Sequence, residues 1–114
     1  MTLDKFLEKL NRQPESIEFT DTMSVIENQY QFTETAFTNG EQSNAAGENS
    51  GSCKLFSFAK LNQLSEAQTL ACFGTYYRDD VLAHPDADDH QNIRQFMING
   101  WSGVKFSAEP LTIK

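Results

Sequence analysis

The sequence predicts a single α+β domain over residues 1–114, mainly helical with a small sheet of short strands. Three observations carry that expectation. Apolar residues recur at helical spacing in several segments. Aromatic residues sit among threonines in QYQFTETAFT (Gln29 to Thr38), a composition that suits short strands. The 114 residues, with nine Phe, three Tyr and one Trp, suffice to bury one core without disulfide or metal staples. No repeat, linker or second domain interrupts the chain.

The first helix is expected from Leu3, Phe6, Leu7 and Leu10 at i, i+3, i+4 and i+7, with Thr2 as N-cap and Pro14 as the stop. Its apolar stripe can cover the core or meet a partner, and in a small domain the core is the ordinary use. A second helix, capped by Thr20 or Asp21, runs through Met23, Val25, Ile26 and Tyr30. One or two strands follow around Tyr30, Phe32 and Phe37. Asn39 to Ser52 holds three of the six glycines and no large apolar residue, which describes a long surface loop or a cover over a site. Ser52 is placed to cap a helix through Cys53, Leu55, Phe56, Ala59 and Leu61, although Phe56 and Phe58 would also fit a strand.

Ser65-Glu66-Ala67-Gln68 has the form of a capping box, opening a helix to about Tyr77. Ala67, Leu70, Ala71 and Gly74 give that helix a narrow face that another element can approach closely. Arg78 to His90 reads as a loop or extended connection. Asp89 or His90 opens a last helix with Ile93, Phe96, Met97 and Trp101 on one face, ended by Asn99-Gly100, and Val104 to Phe106 reads as a strand.

Sixteen acidic residues against nine Lys and Arg give a formal charge of −7, which repels phosphate backbones and argues against nucleic acid as a partner. The two helices flanking Asn62 to Leu64 have the spacing of a DNA-reading helix-turn-helix, a pattern shared by many helical hairpins. No apolar run reaches membrane-span length, and the N-terminus lacks the basic-then-apolar order of a secretory signal peptide, so the expected site of synthesis and residence is the cytoplasm. Cys53 and Cys72 match neither a redox nor a zinc spacing and are expected as buried thiols.

Leu70 to Phe106 gathers both histidines, two of the three arginines and five of the seven aspartates. His84 and His90, with Asp89, are the available metal ligands, at a spacing that no common metal motif uses. The aspartates also suit turns and a helix cap. Cys53 follows Gly51-Ser52 at a helix start, where free amides lower a thiol pKa. With His84 or His90 as base it could act as a nucleophile, and Asn39 or Asn49 could orient the base or donate to an oxyanion. The alternative use of Cys53 is as a small buried hydrophobe. Arg78 and Arg94 could clamp an anion or pair with nearby aspartates. Tyr76, Tyr77 and Trp101 could line a pocket or pack in the core.

Several ordered blocks carry a family resemblance: SIEFTDTM (Ser16 to Met23), FTNG (Phe37 to Gly40), NAAGENSGSCK (Asn44 to Lys54), LACFGTYYRDDVL (Leu70 to Leu82), HPDADDHQNIR (His84 to Arg94) and GWSGVKF (Gly100 to Phe106). Together they resemble the HopJ type III effector family over nearly the whole chain. The resemblance implies a protein of a Gram-negative bacterium that is delivered by a type III system and meets a protein partner, with no reaction or cofactor attached to it. It also implies that a site would draw on family positions, among them Asn39, Asn49, Lys54, Tyr77, Arg78 and Arg94 as ligand-binding groups and Cys53, His84 and His90 as reactive ones. Asn44, Asp89, Asn92 and Trp101 lie on the same blocks. The alternative function is a small enzyme, or a ligand- or metal-binding protein, with a pocket lined by Cys, His and Arg.

Overall fold

The structure, a computed structural model, describes residues 1–114. Helix α1 (Leu3–Arg12) starts where the Thr2 side chain accepts from the Lys5 amide, as the sequence implies. Its stripe faces inward, with Phe6 and Leu10 buried and Leu3 and Leu7 packed on the same core, so α1 covers its own domain. Helix α2 (Phe19–Gln29) begins earlier than expected. Its cap is Glu18, and Asp21 lies in the first turn with its carboxylate accepting from the Glu18 amide at 3.1 Å. A carboxylate can serve a helix start from inside the first turn as well as from the cap, which is why Asp21 resembles a cap in sequence.

Helix α3 (Ser50–Leu61) is the centre of the molecule. Cys53 and the unbroken run Leu55 to Ala59 are buried, so this helix is surrounded on all sides and shows little amphipathic rhythm. That burial explains the strand-like look of Phe56 and Phe58. The ring of Phe56 meets those of Phe37, Phe73, Phe96 and Trp101 at centroid distances of 5.0–6.4 Å, binding sheet, α3 and the C-terminal helix into one core.

The strands form two small antiparallel sheets. In the first, β1 (Tyr30–Phe32) pairs with β5 (Leu111–Ile113), a strand the sequence does not announce. In the second the order is β3-β2-β4, where β2 (Phe37–Asn39) lies between β3 (Gln42–Asn44) and β4 (Val104–Phe106). The stretch expected as a continuous loop from Asn39 to Ser52 therefore contains a hairpin. Gly40 turns it with φ +59°, a left-handed backbone that glycine adopts at least cost. Beyond it, α3 opens at Ser50 rather than after Ser52.

Helix α4 (Glu66–Ala71) keeps its capping box, with Ser65 Oγ accepting from the Gln68 amide and Gln68 Oε1 accepting from the Ser65 amide, both at 3.0 Å. It stops six residues short of Tyr77. Gly74 takes φ +62°, and a side chain there would lie 2.7 Å from the Phe19 backbone nitrogen, so glycine permits the close approach that the small-residue face implies. A π-helical segment (Tyr76–Val81) follows in place of the expected loop, with the Leu82 amide donating to the Tyr77 carbonyl. Helix α5 (Gln91–Asn99) ends at Gly100 as expected, but its inward face is Asn92, Ile93 and Phe96, and Met97 is 44 % exposed. A single turn of 3-10 helix (Gly100–Gly103) leads into β4.

Candidate functional site

The family blocks meet where α3 and α5 begin. Asn49 and His90, the residues that precede these helices, both adopt left-handed backbone at φ 50° and 52°. No side chain caps either helix, and no acid stands in either first turn. The leading backbone N–H groups of both helices are therefore free to meet an external acceptor. Gly51 and Ser52 from α3, and Gln91 and Asn92 from α5, line one cavity of about 430 Å³. Phe19, Phe73 and Tyr76 form its aromatic wall, and His90 and Asp88 stand at its polar side.

Four asparagines hold the two helix starts together. Asn39, fully buried on β2, donates through Nδ2 to the Asn92 carbonyl at 2.6 Å and to Asn92 Oδ1 at 3.2 Å. Asn44 on β3 is the hub. Its Nδ2 donates to the Phe37 carbonyl and to Asn92 Oδ1, both at 3.3 Å, while its Oδ1 accepts from Asn92 Nδ2 at 3.1 Å and Asn49 Nδ2 at 2.7 Å. An asparagine side chain supplies both donors and an acceptor, so a cluster of them can link strand and helix ends without burying charge. Asn39 Oδ1 alone lacks a partner.

The expected reactive groups do not assemble. Cys53 is buried away from the cavity lining, its Sγ donates to the Thr35 carbonyl at 3.6 Å, and burial pushes its thiol up to about 11. The activating helix start lies one turn earlier than the sequence suggests, so Cys53 already has an intrahelical amide bond, to the Asn49 carbonyl. Burial likewise raises Cys72 to about 12, partly opposed by a hydrogen bond from Thr22. His84 is exposed beyond the π-helical segment. His90 Nε2 stands 3.0 Å from Asp80 Oδ2 and 3.9 Å from Asp89 Oδ2, its ring 5.2 Å from that of Tyr76. No three His, Cys, Asp or Glu side chains come together in the manner of a metal site, and this includes His84, His90 and Asp89.

The expected ligand-binding cations are engaged within the protein. Arg78 donates to the Ile17 carbonyl at 2.9 Å and pairs with Glu18 at 2.7 Å, tying the π-helical segment to the start of α2. Arg94 donates to the Asp89 carbonyl and carboxylate, both at 2.6 Å, and to the Pro85 carbonyl, folding the aspartate-rich loop onto α5. The Arg94 hydrogen bond holds the Asp89 carboxyl below its ordinary range. Lys54 lies over the Phe32 ring at 5.0 Å, away from the cavity. Tyr77 and Trp101 pack against the core, and of the three candidate aromatic residues Tyr76 lines the cavity.

Of the expected ligand-binding residues, Asn49 lines the cavity and Asn39 supports it from behind through Asn92. Gly51, Ser52 and Gln91 lie on the family blocks but are not among the expected ligand-binding residues, and the fold brings them into the lining. The signal for Asn39 was available: Phe37 and Asn39 are two apart on a strand, so a buried Phe37 places Asn39 on the inward face as well.

The buried thiols have a measurable consequence. Both should resist a disulfide reagent in the native protein, reacting on the order of a hundredfold or more slower than in the unfolded chain, because reaction requires opening. In the unfolded chain the thiols ionise near their ordinary value of 9.0, whereas in the folded protein they hold their protons to about 11 and about 12. Above pH 9.0 the unfolded state binds fewer protons, so stability should fall with rising pH through this window. Rapid labelling of Cys53 in the native protein would contradict its assigned burial.

A family model described as HopJ type III effector protein matches residues 3–111. The chain is also similar to a solved structure, the crystal structure of the unknown function protein VPA0580, at 56% sequence identity and a TM-score of 0.98, covering 100% of this chain and 95% of that one. A search of curated proteins gives no match.

Proposed function

We propose, because the chain belongs to the HopJ type III effector family, that it is a recognition protein delivered through a type III system, and that it recognises its target with the cavity between α3 and α5. The observation that carries this reading is the arrival of two uncapped helix starts at one cavity with an aromatic wall. Free amides at the positive ends of two helix dipoles favour an anionic group. The wall of Phe19, Phe73 and Tyr76 favours a flat apolar body. The ligand is accordingly a small molecule, or a side chain of a protein partner, that joins a flat ring to one anionic end. Asp88 at the polar side disfavours a ligand of high negative charge.

Binding is favoured over catalysis because the only thiol near these helix starts is protonated and turned toward Thr35. Phenyl phosphate is the simplest probe of this chemistry, and a calorimetric titration should detect it. Gly51→Ala provides the control: the added carbon would lie 2.9 Å from Phe19 Cζ and crowd the cavity, while the ring tip can shift to keep the fold. The substitution should weaken binding about fivefold or more, with stability unchanged to within about 1 kcal/mol. Absence of binding to the native protein, or equal binding by both proteins, would contradict the assignment.

A further inference from the structure

One charged group in the cavity between α3 and α5 has no partner. The lining contains no Lys or Arg, and its two charge-bearing side chains are His90 and Asp88. His90 Nε2 is engaged with Asp80 Oδ2 at 3.0 Å. The Asp88 carboxylate enters no ion pair, whereas that of its neighbour Asp89 is taken by Arg94. The loop that carries Asp88 is pinned in place. Gln91 Nε2 donates to the Asp88 carbonyl at 2.8 Å, and Arg94 donates to the carbonyls of Asp89 at 2.6 Å and Pro85 at 3.3 Å. Asp88 is therefore held beside the start of α5 with its charge uncompensated.

The rest of the lining offers the complementary groups. The backbone N–H groups of Gly51 and Ser52 on α3, and of Gln91 and Asn92 on α5, precede the first bonds of these helices, in which Cys53 donates to the Asn49 carbonyl and Ile93 to that of His90. Phe73, Phe19 and Tyr76 follow one another along the wall, with ring centroids 6.2 and 5.2 Å apart. Gly51 abuts that wall, because a side-chain carbon there would lie 2.9 Å from Phe19 Cζ. One cavity of about 430 Å³ thus holds donors for an anion, a carboxylate for a cation and an apolar face for a ring. A purely anionic ligand would meet Asp88 and a chain of net charge −7, and a purely cationic one would leave the amides without an acceptor. A ligand carrying both charges satisfies both groups and is neutral overall.

We propose that the ligand of this cavity is a free aromatic α-amino acid. Its carboxylate would meet the amides of the two helix starts, its ammonium group Asp88, and its ring the wall of Phe19, Phe73 and Tyr76. A peptide carries an ammonium group at one end and a carboxylate at the other, never both on one residue, so the pairing selects a free small molecule over a segment of a protein. The proposal rests on the recognition site assigned above and names the chemical class of its ligand.

The test is a calorimetric titration of the full chain with L-phenylalanine, N-acetyl-L-phenylalanine and L-phenylalaninamide, the last two each lacking one of the two charges. L-phenylalanine should bind, compete with phenyl phosphate, and exceed both derivatives in affinity about tenfold or more. Asp88→Asn, at an exposed position, should weaken L-phenylalanine about tenfold and strengthen phenyl phosphate by removing a like charge, whereas a structural lesion would weaken both. Binding of phenyl phosphate without binding of L-phenylalanine would overturn this proposal and leave the recognition site standing. An affinity for L-phenylalanine no higher than for either derivative, an unchanged affinity in Asp88→Asn, or a failure to compete with phenyl phosphate would overturn it as well. No binding of any of the four compounds would remove both the ligand and the site.

Discussion

Phe56→Ala should be among the most damaging single changes in this protein, costing about 3–5 kcal/mol, against the roughly 5–15 kcal/mol by which small domains exceed their unfolded state. Phe56 is fully buried, and its ring is the shared neighbour of Phe37 on the central strand, Phe73 after α4, Phe96 on α5 and Trp101 beyond it. Removing it leaves a cavity bounded by four aromatic rings from different parts of the chain, which cannot all move inward together. Phe73 also forms part of the aromatic wall of the ligand cavity, so the lesion should reach binding as well as stability. Chemical denaturation checks the expectation through the midpoint, and Phe56→Leu should recover more than half of the loss by refilling most of the space. A Phe56→Ala protein within about 1 kcal/mol of the native one would mean that the core is not organised around this ring.

Asn44→Ala should cost about 2–4 kcal/mol, although Asn44 is neither apolar nor on a long element. The residue is 3% exposed and joins β2, the turn before α3 and the first turn of α5 through its two amide atoms. Its loss strands Nδ2 of the buried Asn92, while the exposed Asn49 loses its link to β3. The two helix starts would then lose their common anchor, and phenyl phosphate binding should fall with stability. Asn44→Asp separates hydrogen bonding from shape. At neutral pH it replaces a donor by an acceptor facing two oxygens at 3.3 Å, those of Phe37 and Asn92, and should be at least as harmful as alanine. Acidification protonates the new carboxyl and restores a donor, so this variant should gain stability relative to the native protein as pH falls. An Asn44→Asp protein of native stability at neutral pH would remove the network from the account.

The legible parts of the fold are those in which a local rule and the tertiary structure agree. Leu3, Phe6, Leu7 and Leu10 announce α1 because one face of that helix is buried and the other is wet. Ser65 and Gln68 announce α4 because both halves of a capping box lie within four residues. Phe37 and the Val104 to Phe106 segment are visible as strands and pair with one another. The family is also legible, because its blocks lie along most of the chain and the matching model covers residues 3–111.

Other features depend on contacts that sequence spacing does not encode. The edge strand Gln42–Asn44 is polar, so no hydrophobic alternation marks it, and it exists because β2 lies beside it. The π-helical segment has no common apolar period to betray it. Cys53 and the two histidines share a family fingerprint, yet the thiol turns to Thr35, His90 to Asp80, and His84 to the surface. Asn39 resembles half of an Asn-Gly turn, but the turn is made by Gly40 and Glu41, and the asparagine belongs to the buried network. The cavity brings together β3, α3 and α5 with Phe19 and the segment around Phe73 to Tyr76, a convergence of elements distant in sequence.

The central claim is that two helix starts form one recognition site, and an amide-resolved NMR titration of the full chain with phenyl phosphate tests it most directly. The predicted result is a saturable set of shifts at Ser50, Gly51 and Ser52 and at Gln91 and Asn92, moving together with one binding constant and accompanied by ring-current changes near Phe19 and Tyr76. Shifts at one helix start alone, shifts confined to another part of the surface, or no response at all would contradict it.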